Sequence, residues 1–429
     1  MASCASDSEE GLDKEVRFAI NTAQGSRGLD FYKFPSKDDL HSIPQDPKNQ
    51  ITVAKVRLGQ QLFHESGFAT LGSFPELAGT YSCASCHHAD GGFQANMIQG
   101  IGDGGIGFGE FGEGRMPDRV IEMDKIDVQP LRTPSVLNIA YQTNLLWNGQ
   151  FGATAINEST NHLWPDNTPI AKNRLGFEGV ETQAIAGLTV HRHKVDRTAI
   201  EGLGYKEMFD AAFSNMPEAQ RYNEVQAGLA IAAYERTLLA TAAPFQRWLY
   251  GDHNEMTVAQ KEGAILFFGK GQCTTCHNGP GLAKMEFHGI GLNDFNPNEA
   301  FNFDPADPAN LGRGSFTKNA SDNYKFKVPQ LYNLKDSPFF GHGSSFTSVR
   351  AIIAYKNQGI AENDKVPTEQ LSPLFEPLNL SEEEIDLLTH FVKEALYDPN
   401  LKRYEPSSIV SGNCFPNNDW ASKADLDCE

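Results

Sequence analysis

The sequence predicts a mainly α-helical fold made of two tandem, related domains, with long ordered loops and little β-structure. Three observations predict it. The motif C-x-x-C-H occurs twice, as Cys83-Ala-Ser-Cys86-His87 and Cys273-Thr-Thr-Cys276-His277. Ahead of each copy lies a segment with apolar residues three to four apart that contains G-x-x-L-F: VRLGQQLFHES before the first and KEGAILFFGKG before the second. Behind each copy lies a P-x-x-x-N block, RTPSVLN at 132–138 and KVPQLYN at 327–333. A unit this long that recurs only twice means two related domains and not a solenoid.

In chain order, residues 1–47 read as an N-terminal extension. Its start, MASCASDSEE, lacks the basic and apolar regions of a signal peptide. Cys4, followed by a short acidic run, reads either as a lipid-bearing cysteine left by signal removal or as an incidental thiol in a tail. Residues 48–217 form the first domain, and the seam is expected at SNMPEAQRYNEV (214–225), a polar, proline-containing link ahead of a new helix. Residues 218–402 form the second domain. Near its start, AGLAIAAYERTLLATAAPF is interrupted by Glu235 and Arg236 and reads as a buried helix; no apolar run approaches the ~18 residues of a membrane span. Residues 403–429 form a loop-like tail in which Cys414 and Cys428 are expected to form a disulfide, which implies an oxidising compartment.

Hydrophobic residues at 40% and charged residues at 21% suit a soluble globular chain, and 39 glycines with 23 prolines favour long, shaped loops. The formal net charge of −19 would repel phosphates and argues against nucleic acid. It would attract a small basic electron carrier, although a solvated acidic surface needs no partner.

The two C-x-x-C-H copies decide the chemistry. A zinc site joining both cysteine pairs would close a loop of about 190 residues, against ~15–20 in typical zinc ribbons. A thioredoxin-like dithiol would follow an apolar strand, and neither pair does. C-x-x-C-H is the attachment pattern of c-type haem: the thiols add to the vinyl groups and the adjacent histidine becomes the proximal ligand.

In these blocks the chain resembles the bacterial di-haem cytochrome c peroxidases and their relative MauG. The resemblance covers roughly residues 50–400 and rests on LGQQLF then CASCH, RTPSVLN then LWNG, IAAYERTLL with PFQRWLYGD, GAILFF with CTTCHNGPGL, and FKVPQLYN with SPFF. It implies two cytochrome c-like domains, each with a covalently bound haem c, held by Cys83, Cys86 and His87 and by Cys273, Cys276 and His277. Hydrogen peroxide would react at the N-terminal haem, the C-terminal haem would store or relay electrons, and Trp147 in the motif WNG would lie between them. A redox protein donor or a protein substrate, and a periplasmic or outer-surface bacterial location, go with the resemblance.

The resemblance also places the second haem's distal ligand at a fixed interval after Pro338, on Tyr355. Peroxidases proper carry methionine there and MauG-like members tyrosine; a phenolate stabilises ferric and higher states, whereas a thioether favours ferrous iron. One residue of slippage would offer Lys356, and a tyrosine that merely packs the helix is the plain alternative. At the first haem, many family peroxidases keep a capping histidine on the following loop. Here no histidine lies between His88 and Trp147, and IQGIGDGGIGFGEFGEG is poor in donors. Met97, Met116 and Met123 are weak candidates, and His88 adjoins the proximal ligand, so the distal position is expected to be open. The family's glutamine falls on Gln183 and its catalytic glutamate on His193, with His191, Glu178 and Glu181 as rivals. Two departures stand out. The family's calcium-binding asparagine is replaced by Arg132, which speaks against calcium, although backbone oxygens near Asp336 and Pro338 remain. MauG's surface tryptophan before the second motif is replaced by Gly269-Lys270-Gly271-Gln272. The reading is thus a MauG-like oxidation of a partner protein. The alternatives are peroxide detoxification fed by a small cytochrome or cupredoxin, and a non-enzymatic di-haem carrier.

Overall fold

A computed structural model describes residues 2–36 and 39–428, the side chains of 2–9 excepted, so the Cys4 thiol lies outside the described residues. Among the described residues twelve α-helices carry the fold: α1 (Ala2–Thr22), α2 (Val53–His64), α3 (Gly179–Val190), α4 (Arg197–Gly202), α5 (Lys206–Ala212), α6 (Glu224–Arg236), α7 (Pro244–Leu249), α8 (Val258–Phe268), α9 (Arg313–Thr317), α10 (Val349–Gln358), α11 (Glu382–His390) and α12 (Trp420–Asp425). Paired strands among the described residues are two antiparallel couples, β1 (Gly105–Ile106) with β2 (Met116–Pro117) and β3 (Phe287–His288) with β4 (Phe326–Lys327). Polar side chains set the helix starts. Thr52 opens α2 by accepting the Lys55 N–H, and reciprocal Thr257/Gln260 and Ser381/Glu384 capping boxes open α8 and α11.

The duplicated sequence folds as a duplicated packing. Gly59 of α2 sits where α6 crosses it: a Cβ there would lie 1.9 Å from the Ala230 carbonyl oxygen. Gly263 of α8 meets α11 in the same way, 2.1 Å from the Leu387 oxygen. One turn on, Phe63 packs on Tyr234 with ring centroids 5.3 Å apart, and Phe267 packs on Phe391 at 5.2 Å. The asparagines that end the P-x-x-x-N blocks also correspond. Asn138 and Asn333 both adopt left-handed backbone, at φ 58° and 56°, which asparagine tolerates. The Asn138 N–H donates to the Leu238 carbonyl and its side-chain oxygen accepts from the Ala240 N–H. Asn333 does the same with Leu396 and Asp398. The second copy reaches its leucine one residue later, because a π turn, Phe391–Ala395, extends α11.

Residues 214–225 form the connection between α5 and α6, and α6 lies against α2 and α3. A polar, proline-containing loop marks a turn between helices as readily as a domain link. The N-terminal extension is not loose. Helix α1 packs on α8, burying Val16 and Ile20, and Asp13 accepts from the Trp248 indole (2.7 Å) and pairs with Lys261 (2.8 Å). A single apolar core runs through both halves. The C-terminal segment carries a Cys414–Cys428 disulfide and lies against the first half.

Candidate active site

Both C-x-x-C-H segments fold as one tight turn. The histidine N–H returns to the first cysteine's carbonyl, at 3.0 Å for His87 and 2.8 Å for His277. None of the four thiols is bonded to another. His87 Nδ1 lies 3.1 Å from the Phe93 carbonyl oxygen, and His277 Nδ1 lies 3.0 Å from that of Leu282. A carbonyl only accepts, so each Nδ1 carries the proton and each Nε2 presents a lone pair. Burial holds both imidazoles down to about 4, and both stay neutral.

Trp147 lies where the two halves meet. The turn that carries it is closed by a Leu145–Phe151 bridge; the matching turn of the second half is closed by Phe340–Phe346 and puts His342 at the equivalent place. The contacts are reciprocal. The Arg132 N–H donates to the His342 carbonyl (2.8 Å) and the Lys327 N–H to the Trp147 carbonyl (2.7 Å); Arg132 and Lys327 open the two P-x-x-x-N blocks. The Trp147 indole N–H donates to the Arg132 carbonyl at 2.8 Å. Its ring stands edge-on to Phe326 and His342 (6.4 Å each), and His342 stacks on Phe326 at 3.7 Å.

The residues expected on the distal side of the first haem come from α3 and the turn that follows it. Arg192, at φ 59°, reverses the chain there and its guanidinium bonds Asp103 at 2.5 Å. His191 Nδ1 lies 2.8 Å from Asp127 Oδ2. Tyr81, two residues before Cys83, donates to the His191 carbonyl (3.0 Å) and stacks on the His193 ring at 5.6 Å, which ties this turn to the first motif. Three buried polar atoms here have no partner, His193 Nε2, Gln183 Oε1 and Asp103 Oδ1. Orphans of this kind mark places where a ligand or substrate completes the bonding. Burial, helped by the neighbouring His191, lowers His193 to about 4. For His191, burial alone would act in the same sense, but the charge and hydrogen bond of Asp127 offset it and raise the group. Glu178 and Glu181 are committed elsewhere. Both bind the buried Arg236 guanidinium, at 2.9 and 2.7 Å, and so hold α3 to α6.

The glycine-rich loop is firmly built. Buried Arg115 donates to the Ile101, Gly102 and Gly107 carbonyls and pairs with Asp419 of the C-terminal segment. Asp419 accepts from Gly107, and Asp425 from Phe108 and Gly109. Gly112 closes the loop over His88: a Cβ there would lie 2.2 Å from His88 Nε2. His88 is thus packed under the loop, edge-on to Phe108. Met116 and Met123 are exposed, and the Met97 carbonyl is taken by Arg132.

On the second half, Tyr355 is buried in α10 between Phe346 and Phe375. Its hydroxyl donates to the Ile290 carbonyl (2.5 Å) and accepts from the Glu362 N–H, and burial pushes it up to about 12. The Lys356 ammonium is held by the Leu374 carbonyl at 2.9 Å.

Residues 53–254 match the family model described as di-haem cytochrome c peroxidase. The methylamine utilization protein MauG of Methylorubrum extorquens is 27% identical over 361 residues, 83% of this chain and 82% of that protein. The cytochrome-c peroxidase IdrP1 of Pseudomonas sp. (strain SCT) is 27% identical over 87% of this chain and 89% of its own. Residues 53–254 thus match the di-haem cytochrome c peroxidase family, and most of the chain is similar to MauG and to cytochrome c peroxidases. Another relative, the cytochrome c peroxidase Ccp of Escherichia coli, is 28% identical over 74% of this chain and 57% of its own length. The solved structure of a MauG-like protein associated with microbial copper homeostasis superposes with a TM-score of 0.59 at 22% identity, covering 86% of this chain and 96% of that one. The diheme peroxidase BthA from Burkholderia thailandensis superposes with a TM-score of 0.52 at 16% identity, covering 84% of this chain and 89% of that one. Both share the mainly helical fold.

The family implies two haems c, and the residues fit them: four unpaired thiols and two neutral imidazoles with Nε2 lone pairs, each pair of cysteines in the same turn as its histidine. Three features escaped the reading of the sequence. Asp127 and the Arg115–Asp419 pair join segments far apart in the chain, and no local pattern announces them. His342 had a signal, because aligning the two halves on their P-x-x-x-N blocks sets FGHG against LLWN and so His342 against Trp147.

Proposed function

We propose that hydrogen peroxide reacts at the haem held by Cys83, Cys86 and His87. A second haem would be held by Cys273, Cys276 and His277, with Tyr355 as its further ligand, and would supply a store for oxidising equivalents that are passed on to a partner protein, as in MauG. The observation that carries this reading is the position of Trp147, which touches both halves through its indole, its carbonyl and its ring edge. The bound haems supply the iron at which peroxide reacts and the electrons it removes. His193, neutral and with an unpartnered Nε2, takes the first proton, and Gln183 orients the peroxide. His191 is held by Asp127 beside them. Of the four tryptophans, Trp164 and Trp248 are buried and Trp420 is 71% exposed. Trp420 begins α12, which is clamped to the loop after the first motif, and it is the exit we assign toward a partner. No helix of the described residues is long and apolar enough to cross a membrane. The Cys414–Cys428 disulfide suits an oxidising periplasmic or outer-surface location.

A second reading, detoxification with a small redox donor, is favoured by one observation: the Tyr355 hydroxyl is bonded to Ile290, and ligation as phenolate requires that this bond be given up and the proton released. Stoichiometric peroxide titration of the diferric protein tests the first reading. Both haem spectra should change together, and in Trp147→Phe only the first should respond promptly. Wild-type-like sharing in that variant would end the relay role. Tyr355→Met should raise the second haem's reduction potential, because a thioether favours ferrous iron. An unchanged potential would remove Tyr355 from the iron and leave detoxification as the better reading.

A further inference from the structure

Arg132 is 3% exposed, and its guanidinium is surrounded by neutral oxygens from both halves. From the first half it donates to the carbonyls of Met97 (2.9 Å) and Ala95 (3.1 Å) and to Gln94 Oε1 (3.4 Å). From the second it donates to Ser337 Oγ at 2.9 Å. The Ser337 hydroxyl gives its own proton to the Phe339 carbonyl (2.7 Å), so a lone pair faces the guanidinium, which also lies 5.7 Å from the Phe339 ring centre. Among the described residues no carboxylate acts on this cation, and no group of histidine, cysteine and acidic side chains suits a metal ion.

Carbonyl and hydroxyl oxygens converging on one positive centre are the donor set of a hard cation. The seam between the halves is also where the family resemblance leads one to expect calcium, and the residues do not fit it. The place of the metal-binding asparagine carries a cation of its own. A second cation among the same oxygens would be repelled in a low-dielectric interior. We propose that Arg132 is a tethered cation that takes the place of a divalent metal at the seam, so that the two halves are held in register without calcium. The same residue's N–H holds the His342 turn and its carbonyl holds the Trp147 indole, so the guanidinium also fixes the aromatic contact between the halves.

The test uses the full-length holoprotein. After dialysis against a chelator, elemental analysis should find well under one calcium per chain. Thermal midpoint and the rate at which both haems respond to peroxide should be the same in EGTA and in millimolar calcium chloride. About one retained calcium per chain, or a roughly tenfold loss of that rate in EGTA restored by calcium, would overturn the proposal. Arg132→Asn removes the cation and restores a neutral oxygen. Its thermal midpoint should fall in EGTA and rise with added calcium, a response the wild type lacks. Arg132→Lys keeps the charge and should stay indifferent to calcium even if less stable. A stable Arg132→Asn protein that ignores calcium and shares oxidising equivalents at the wild-type rate would also count against it.

Discussion

Replacing His193 with glutamine should slow the reaction of the diferric protein with peroxide by about 10²–10⁴-fold, the usual effect of losing a positioned general base. Haem content and the second haem's potential should not change, since His193 contacts neither C-x-x-C-H histidine through any hydrogen bond. The pH dependence separates His193 from His191. Burial holds His193 near 4, so it is a free base over the whole neutral range, and the wild-type rate should be flat above about pH 5 and fall on further acidification. His191 is raised by Asp127, so it keeps its proton to a higher pH than an ordinary histidine. Were His191 the base, the rate would instead climb with pH through that raised value, and Asp127→Asn would shift the climb to lower pH. Stopped-flow measurement across pH 4–9 distinguishes the two. A His193→Gln protein that reacts at the wild-type rate removes that residue from the chemistry.

The two C-x-x-C-H turns are legible in the sequence because they are local: thiols and imidazole lie within one turn, so their spacing is fixed in sequence. The cluster around His193 is assembled from four separate segments, Tyr81, Asp103, Asp127 and the turn at 191–193, which nothing in any one segment predicts. Gln183 and His193 came from spacing in a resembling family, and only the fold removes Glu178 and Glu181, by giving both to Arg236. The grouping of helices is hard to read for a related reason. Polar loops and proline mark every surface turn, whereas membership of a half depends on which helix a helix crosses, and α6 crosses α2. The packing of the glycine-rich loop as a socket for Arg115 and the C-terminal segment was not readable.

Gly59→Ala and Gly263→Ala should each destabilise the fold strongly, and each chiefly around its own haem. The added methyl would meet the Ala230 or Leu387 carbonyl oxygen at 1.9 or 2.1 Å, far inside contact distance. The opposing atom is helix backbone, so no rotamer change relieves the clash and the helices must part. Parting them pulls Phe63 off Tyr234 in the first half or Phe267 off Phe391 in the second. The cost should reach or exceed the ~1–3 kcal/mol of an overpacked core. Gly11→Ala in α1 is the control: nothing lies within 4 Å of its Cβ position, and there alanine should stabilise by up to about 1 kcal/mol through helix propensity alone. Thermal melts followed at each haem's absorption would show the asymmetry. Equal loss at both haems in both variants would mean that the shared core, and not the crossing within each half, sets the stability. The repeated glycine is therefore the point at which a sequence repeat becomes a structural one. It survives in both copies because two α-helices can approach this closely only where one of them has no side chain.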